Sequence, residues 1–133
     1  MKIFRERQDQ FIADMEMFDN WSDRFNYMIS LADELPAECP EYLLKYRLEN
    51  CTSKTCFKAY KDGNIIYVDG WSNSPVMAGI IVSMMKIFNW SEVREIQDTT
   101  IDFYTKTGLI DNLTQMRRDA IIQMISRIIV LLK

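Results

Sequence analysis

The sequence predicts an α+β fold, in which a small three-stranded antiparallel sheet packs against several α-helices. Two observations indicate helices at both ends of the chain: apolar residues recur with helical spacing before residue 36 and again after residue 74. A third observation places strands between them, because the Asp62-Gly63 pair separates two short runs rich in strand-forming residues. Helices, then strands, then helices again are typical of this class.

The first two helices are predicted from their apolar stripes and their ends. One runs from Phe4 to Phe18, and the next is capped by Asn20 and ends at Pro36. The apolar residues repeat every three to four positions, so we expect them to face the core. They are Phe11, Ile12, Met15 and Phe18 in the first helix, and Trp21, Phe25, Met28, Ile29, Ala32 and Leu35 in the second.

The sheet is predicted from three short segments. Two of them, residues 55–61 and 64–68, form a hairpin whose Asp62-Gly63 pair suits a type I′ turn. The third, residues 41–48, fits either a helical turn or an edge strand. We expect extended structure from about Tyr46, because the segment leads into Cys51. A sheet of this size must lie against helices to be stable.

The helices after the sheet begin at recognisable caps. Ser74 caps a helix with Pro75 at its first position, and that helix is apolar nearly all round, so we place it at the centre of the fold. Further caps are expected at Ser91, at Thr99 or Thr100, and at Thr114. The last helix carries the stripe Ala120, Ile121, Met124, Ile125, Ile128 and Leu132.

Composition excludes several classes of function. The 133 residues predict one domain over residues 1–133, and a net charge of −3 without a basic block argues against binding nucleic acid. The longest apolar run, residues 75–85, is too short to span a bilayer, and the first residues lack a signal-peptide core. We therefore expect a cytoplasmic protein that does not enter membranes and keeps its cysteines reduced.

The composition leaves few catalytic groups other than the cysteine thiols. The chain has no histidine, so no Ser-His or Cys-His pair can form. Its three cysteines lack the paired Cys-x-x-Cys spacing of zinc sites, and no glycine-rich phosphate loop is present. We therefore expect neither a metal nor a cofactor.

Cys51 is the candidate nucleophile, because polar residues surround it on both sides. A thiol on a polar turn is accessible and can ionise, and the thiolate is the reactive form. Lys54, the nearest cation in sequence, either favours that thiolate or is simply solvated. Cys39, between two prolines, is expected to be incidental. Cys56 either fills core space or pairs with Cys51 in a disulfide switch.

Several motifs resemble one family when they are taken in order. The segment Leu48-x-Asn50-Cys51-x-Ser53-x-x-x-Phe57 is similar to the V-x-G-C-x-S-x-V-W pattern of SufE-like sulfur-acceptor proteins of iron–sulfur cluster assembly. Gly70-x-Ser72-Asn73-Ser74 resembles the D-S-D-A segment before that family's central helix. The resemblance extends from about residue 21 to residue 131, and its later matches are Gly79-Ile80, Phe103, Gly108-Leu109, Leu113-Thr114, Arg117 and Ala120-Ile121.

The chain also departs from the family pattern. Asn50 stands where glycine precedes the cysteine, which is a mild change because Asn tolerates positive φ. Trp71 and Asn73 replace aspartates, and Cys56 replaces a bulky apolar residue. The missing aspartates bear on partner recognition more than on chemistry.

The resemblance implies a function for the thiol. Cys51 would take sulfane sulfur as a persulfide from a pyridoxal-phosphate-dependent, SufS-like cysteine desulfurase, stimulate that enzyme, and pass the sulfur to a SufB-like cluster scaffold. It also implies an apolar depression that shelters the cysteine loop. Phe57, Trp71 and the central helix either line that depression or simply pack in the core, and core packing is the expected role of Phe57. The supporting or partner-binding candidates are Asn50, Ser53, Lys54, Trp71, Ser72, Asn73 and Arg117.

Three alternatives remain open from the sequence. The chain could stimulate a desulfurase without carrying sulfur, which would make Cys51 dispensable. It could use Cys51 and Cys56 as a redox dithiol, although four intervening residues do not give the Cys-x-x-Cys geometry. It could bind a cluster through three thiolates and a carboxylate, although complete cluster sites usually use four cysteines.

Overall fold

A computed structural model describes residues 3–133 and has the predicted α+β architecture. Its helices and strands, in chain order, are α1 (Ile3–Glu16), α2 (Trp21–Leu31), β1 (Thr55–Asp62), β2 (Ile65–Ser72), α3 (Pro75–Phe88), β3 (Ser91–Glu92), α4 (Val93–Gln97), α5 (Phe103–Lys106) and α6 (Gln115–Leu131). Short 3-10 segments lie at Ala32–Glu34, Glu41–Tyr46 and Ile110–Asn112. No helix among residues 3–133 combines the length and the apolar character needed to cross a membrane.

The antiparallel sheet has the order β1-β2-β3, and its third strand is not the one that the sequence suggested. The 3-10 segment continues through Tyr46, so only Arg47 remains extended, and it forms an isolated bridge with Cys56. The third strand is instead Ser91–Glu92, which pairs with the start of β2. Ser91 is therefore a strand residue, and the N-cap position of α4 is Glu92.

The hairpin between β1 and β2 forms as predicted, but its turn type differs. Asp62 pairs with Ile65, which leaves Gly63 and Asn64 as the two loop residues. Gly63 has φ of 60°, whereas the non-glycine residues with positive φ among residues 3–133 are Asn50 and Trp90. A type I′ turn needs positive φ at both central residues, so the type I′ prediction is wrong.

Three of the predicted helix caps are confirmed. The Asn20 side chain accepts from the N–H of Asp23, and Ser74 and Thr114 accept from the third residue of α3 and of α6. Thr99 and Thr100 do not begin a helix, because Gln8 of α1 binds this segment. The Gln8 amide donates to the Thr100 carbonyl and accepts from the N–H groups of residues 102 and 103, so α5 starts only at Phe103.

The core forms around α3, as its apolar sequence predicted. Ten of its residues are buried between β2 on one side and α1 and α2 on the other. Gly79 makes the approach of α2 possible, since a methyl group at this position would lie 2.0 Å from the Met28 carbonyl oxygen. The predicted stripe of α6 is confirmed from Ala120 to Ile128, while Ile29 of α2 is exposed.

Candidate functional site

The candidate site is the cysteine loop, residues 49–54, which joins the Arg47 bridge to β1. Its base is closed by the N–H of Leu48, which donates to the Thr55 carbonyl at 2.8 Å. Asn50 has φ of 56°, so the residue before the cysteine occupies the left-handed region that the replaced glycine would favour. This conformation turns the chain sharply just before Cys51.

The Cys51 thiol is half-buried and lies at the end of a row of hydroxyl groups. Its Sγ is 3.2 Å from Ser53 Oγ and 3.7 Å from Thr55 Oγ1. The row continues from Ser53 to Thr55 at 3.0 Å and from Thr55 to Ser72 at 2.8 Å. Because each hydroxyl can donate and accept, the row can orient its donors toward a negatively charged sulfur.

Lys54 and Asn73 join the cysteine loop to the end of β2. The Lys54 N–H donates to Asn73 Oδ1, and the Asn73 N–H donates to the Lys54 carbonyl, both at 3.0 Å. The Lys54 ammonium lies 5.9 Å from the centroid of the Trp71 ring. Within residues 3–133 we find no hydrogen bond between Lys54 and the Cys51 sulfur, so the neighbour that the structure shows for this cation is an aromatic ring.

Of the two alternatives for Trp71, core packing is the one that the structure shows, and Trp71 does not line a depression around Cys51. It is 9% exposed and packs with Leu43 and Cys56 in a small second cluster, and its indole N–H donates to the Pro36 carbonyl at 2.8 Å. Cys51 packs against the main core, to which the fully buried Phe57 belongs. Trp71 and Asn73, which replace aspartates, therefore both make contacts that hold this chain together.

Helix α6 holds the cysteine loop through residues that the sequence analysis missed. Met116 Sδ accepts from the N–H and the hydroxyl of Thr52, each at 3.3 Å. Gln123 exchanges two hydrogen bonds with the backbone of Glu49, at 3.1 and 2.9 Å. Positions 116, 123 and 127 share one helix face, and a polar pair four residues apart beside an apolar stripe was the signal that could have found them.

Arg127 anchors the two chain segments at the base of the loop. Its guanidinium donates to the carbonyls of Tyr46 at 2.7 Å and Arg47 at 3.3 Å, and also to that of Phe57. Burial lowers the pKa of this guanidinium, but arginine stays charged in proteins. A half-buried cation that donates to three carbonyls ties the segment before the loop to the strand after it.

Arg117 lies at the third position of α6, where its N–H donates to the Thr114 cap. Its side chain is half-buried, and among the described residues it makes no hydrogen bond or ion pair with the cysteine loop. The contact between this turn of α6 and the loop comes from its neighbour Met116. The suggestion that Arg117 contacts a partner stays a prediction.

The other two cysteines lie close to each other on the opposite side of β1. The Sγ atoms of Cys39 and Cys56 are 4.0 Å apart, a contact that the sequence did not predict for Cys39. Thr55 faces Cys51, and successive side chains of a strand point to opposite faces, so Cys56 faces away from Cys51. Burial raises the pKa of the Cys56 thiol, and negative charge on Cys39 would raise it further.

The chemistry available at the site is that of one thiol with hydroxyl neighbours. Among residues 3–133, no cluster of three or more His, Cys, Asp or Glu side chains could hold a metal ion. The groups within reach of the Cys51 sulfur are hydroxyls, which stabilise charge but are poor bases at neutral pH. Such a site suits nucleophilic attack by the sulfur itself.

Comparison with known proteins gives one consistent result. The chain matches the family model "SufE: Fe-S metabolism associated domain" over residues 9–131. It is 29% identical over 127 residues to an uncharacterized SufE-like protein of Rhizobium meliloti, with 90% of each chain covered. It is 25% identical over 133 residues to another from Rhizobium etli, covering 96% of this chain and 90% of that one. The solution structure of a hypothetical protein from Thermus thermophilus shares the fold, with a TM-score of 0.69 at 14% identity, over 95% of this chain and 96% of that one.

Proposed function

The chain belongs to the SufE family, which is associated with Fe–S metabolism, and from this premise we propose that Cys51 accepts sulfane sulfur from a pyridoxal-phosphate-dependent cysteine desulfurase. The observation that carries the proposal is the setting of Cys51. It is a half-buried thiol that follows a left-handed turn at Asn50 and has two hydroxyls beside it. A persulfide acceptor needs a nucleophilic, accessible sulfur and no separate acid–base pair.

The transfer is a thiol exchange that leaves the total oxidation state unchanged. The Cys51 thiolate attacks the terminal sulfur of the partner's cysteine persulfide and forms a new sulfur–sulfur bond. The bond between that sulfur and the partner's cysteine breaks, and the partner's cysteine leaves as a thiolate. Cys51 then carries a persulfide, whose terminal sulfur is passed on in a second exchange of the same kind.

The surroundings of Cys51 stabilise the charged states of this exchange. Ser53 can donate to the thiolate before the attack and to the charged persulfide after it, while Thr55 donates to Ser53. Ser72 continues the row of hydroxyls, and its Oγ accepts from the N–H of Ser74, so its own hydrogen is free to donate to Thr55. The hydrogen bonds of a row of this kind strengthen one another.

The partners follow from the same chemistry. The donor is a SufS-like desulfurase that this protein stimulates by clearing its persulfide, and the recipient is a SufB-like scaffold that builds clusters in the cytoplasm. The exposed Asn50, with the half-buried Lys54 and Arg117, would meet these partners. Asn73, with both of its bonds to Lys54, keeps the loop in place for docking.

The test uses a purified cysteine desulfurase, the full chain and radiolabelled cysteine. We expect the chain to gain the mass of one sulfur atom and a label that reductant releases, and we expect Cys51→Ser to gain neither. Cys39→Ser is the matched control, because it changes the other partly accessible cysteine, and it should still accept sulfur. Full transfer to Cys51→Ser would contradict the proposal. If that variant accepts no sulfur but stimulates the desulfurase as well as the native chain, the protein is a regulatory module.

A further inference from the structure

We propose that Cys39 and Cys56 form a second thiol site, a dithiol that low-molecular-weight disulfides oxidise to an internal disulfide while Cys51 stays free. The two sulfurs already lie 4.0 Å apart in the cluster that contains Leu43 and Trp71. A disulfide bond is about 2.05 Å long, so the sulfurs must approach by about 2 Å. This inference concerns different cysteines and does not rest on the sulfur-acceptor function.

The required approach is available because the two cysteines are held differently. Cys56 lies inside β1, where its backbone pairs with Trp71 on one side and with Arg47 on the other. Cys39 lies in the connecting segment 36–40, outside any helix or strand, where residues 36–38 are exposed. Movement of this segment can close the gap while the sheet remains intact.

The two thiols differ in solvent exposure, so each has a different role in the oxidation. Cys39 is half-buried and meets the reagent first, whereas Cys56 is fully buried and is reached only through Cys39. The Cys39 thiolate attacks the small disulfide, forms a mixed disulfide and releases one small thiol. Cys56 then attacks Cys39 Sγ, its proton passes to the departing second thiolate, and two small thiols have been made from one disulfide. The two electrons come from the two cysteine sulfurs.

Cys51 is excluded from this pair by the geometry of the strand. It contacts the hydroxyl of Thr55, which points to one face of β1, while Cys56 points to the other. Oxidation of the pair would therefore leave the Cys51 thiol available. It would also tie segment 36–40, whose Pro36 carbonyl accepts from Trp71, to the sheet.

The experiment is an oxidised-glutathione titration of the full chain, followed by alkylation of free thiols and tryptic mapping. Cleavage after Lys45, Arg47, Lys54 and Lys58 puts the three cysteines on three different peptides. We expect the peptide with Cys39 to be linked to the peptide with Cys56, and Cys51 to be recovered as a free thiol or as a mixed disulfide with glutathione. A cross-link between residues 17 apart should raise the melting temperature by about 5–10 °C.

Three variants decide the outcome. Cys51→Ser should form the link to the same extent, whereas Cys39→Ser should lose both the link and the gain in melting temperature. Cys56→Ala, which removes the buried thiol, should also lose the link and the gain in melting temperature. If Cys56→Ala does not fold, Cys39→Ser still tests the proposal. A link between Cys51 and either other cysteine would overturn the proposal. So would the recovery of Cys39 and Cys56 as free thiols at glutathione concentrations that convert Cys51 fully to its mixed disulfide.

Discussion

The two faces of β1 at its first residues give the same amino acid two different environments. On one face, Cys51 is half-buried beside the hydroxyls of Ser53 and Thr55. On the other, Cys56 is fully buried among Leu43, Trp71 and Cys39. Successive side chains of a strand point to opposite faces, so Thr55 lies on the face that Cys51 meets and Cys56 lies on the other face. The surroundings of a cysteine in this protein therefore depend on the strand face that it meets more than on its position along the chain.

The largest expected effect is a difference between two variants: Cys51→Ser should lose sulfur acceptance, whereas Cys56→Ser should lose stability. Cys51→Ser should abolish sulfur acceptance and change the free energy of unfolding by less than about 0.5 kcal/mol, because its side chain is half-buried in a loop. Cys56→Ser buries a hydroxyl among apolar side chains and should cost about 1–3 kcal/mol. Urea unfolding and the transfer assay measure the two effects. Equal losses of stability would remove the distinction between the faces.

The next effect concerns the anchor that α6 provides for the cysteine loop. Arg127→Met should leave carbonyls of Tyr46 and Phe57 without their donor and cost about 1–3 kcal/mol. It should also speed alkylation of Cys51 several-fold in the native protein while Cys56 stays protected. Arg94→Met, at a side chain that is 86% exposed, is the control and should change neither measurement. An unchanged alkylation rate in Arg127→Met would show that the loop holds its shape without Arg127.

A smaller effect is expected from the two neighbouring arginines of α6. We predict that Arg117→Ala weakens sulfur transfer several-fold and leaves thermal stability nearly unchanged. At the third helical position a cation opposes the helix dipole at a cost of about 0.3–1 kcal/mol, so its removal should not destabilise the helix. Arg118→Ala, whose guanidinium donates to Gln115, should not alter transfer. The same transfer loss in both variants would deny Arg117 a special role.

The smallest effect is a pH dependence of stability that arises from the buried Cys56 thiol. Burial raises the pKa of the Cys56 thiol above that of an unfolded cysteine, about 8.5. The folded state then holds its proton more tightly, so this contribution to stability is complete below about pH 8.5 and is lost as the pH rises toward the folded pKa. Denaturant unfolding between about pH 7.5 and 10 should show this loss in the native chain and less of it in Cys56→Ala. An identical pH dependence in the two proteins would contradict it.

Local sequence is sufficient to predict the helix caps and the buried central helix. The caps at Asn20, Ser74 and Thr114 each involve a hydrogen bond to a residue three positions later, so neighbouring residues suffice to predict them. The burial of α3 likewise follows from its sequence, which is apolar nearly all round, and the positive φ of Asn50 agrees with the glycine of the family pattern at that position. The position of Cys51 between polar residues was sufficient to identify it as the candidate nucleophile.

The features that the sequence did not predict are contacts between distant parts of the chain. Gln8 prevents a helix at Thr100 across 92 residues, and Arg127 closes the base of the loop from 80 residues away. The third strand comes from Ser91 instead of Tyr46 because residues 41–46 form a 3-10 segment and leave only Arg47 to bridge β1, while Ser91 and Glu92 pair with the start of β2. The contact between Cys39 and Cys56 likewise joins two segments that are distant in the chain. Hydrogen bonds and packing between residues this far apart depend on how whole elements dock, which local propensity and periodicity do not encode.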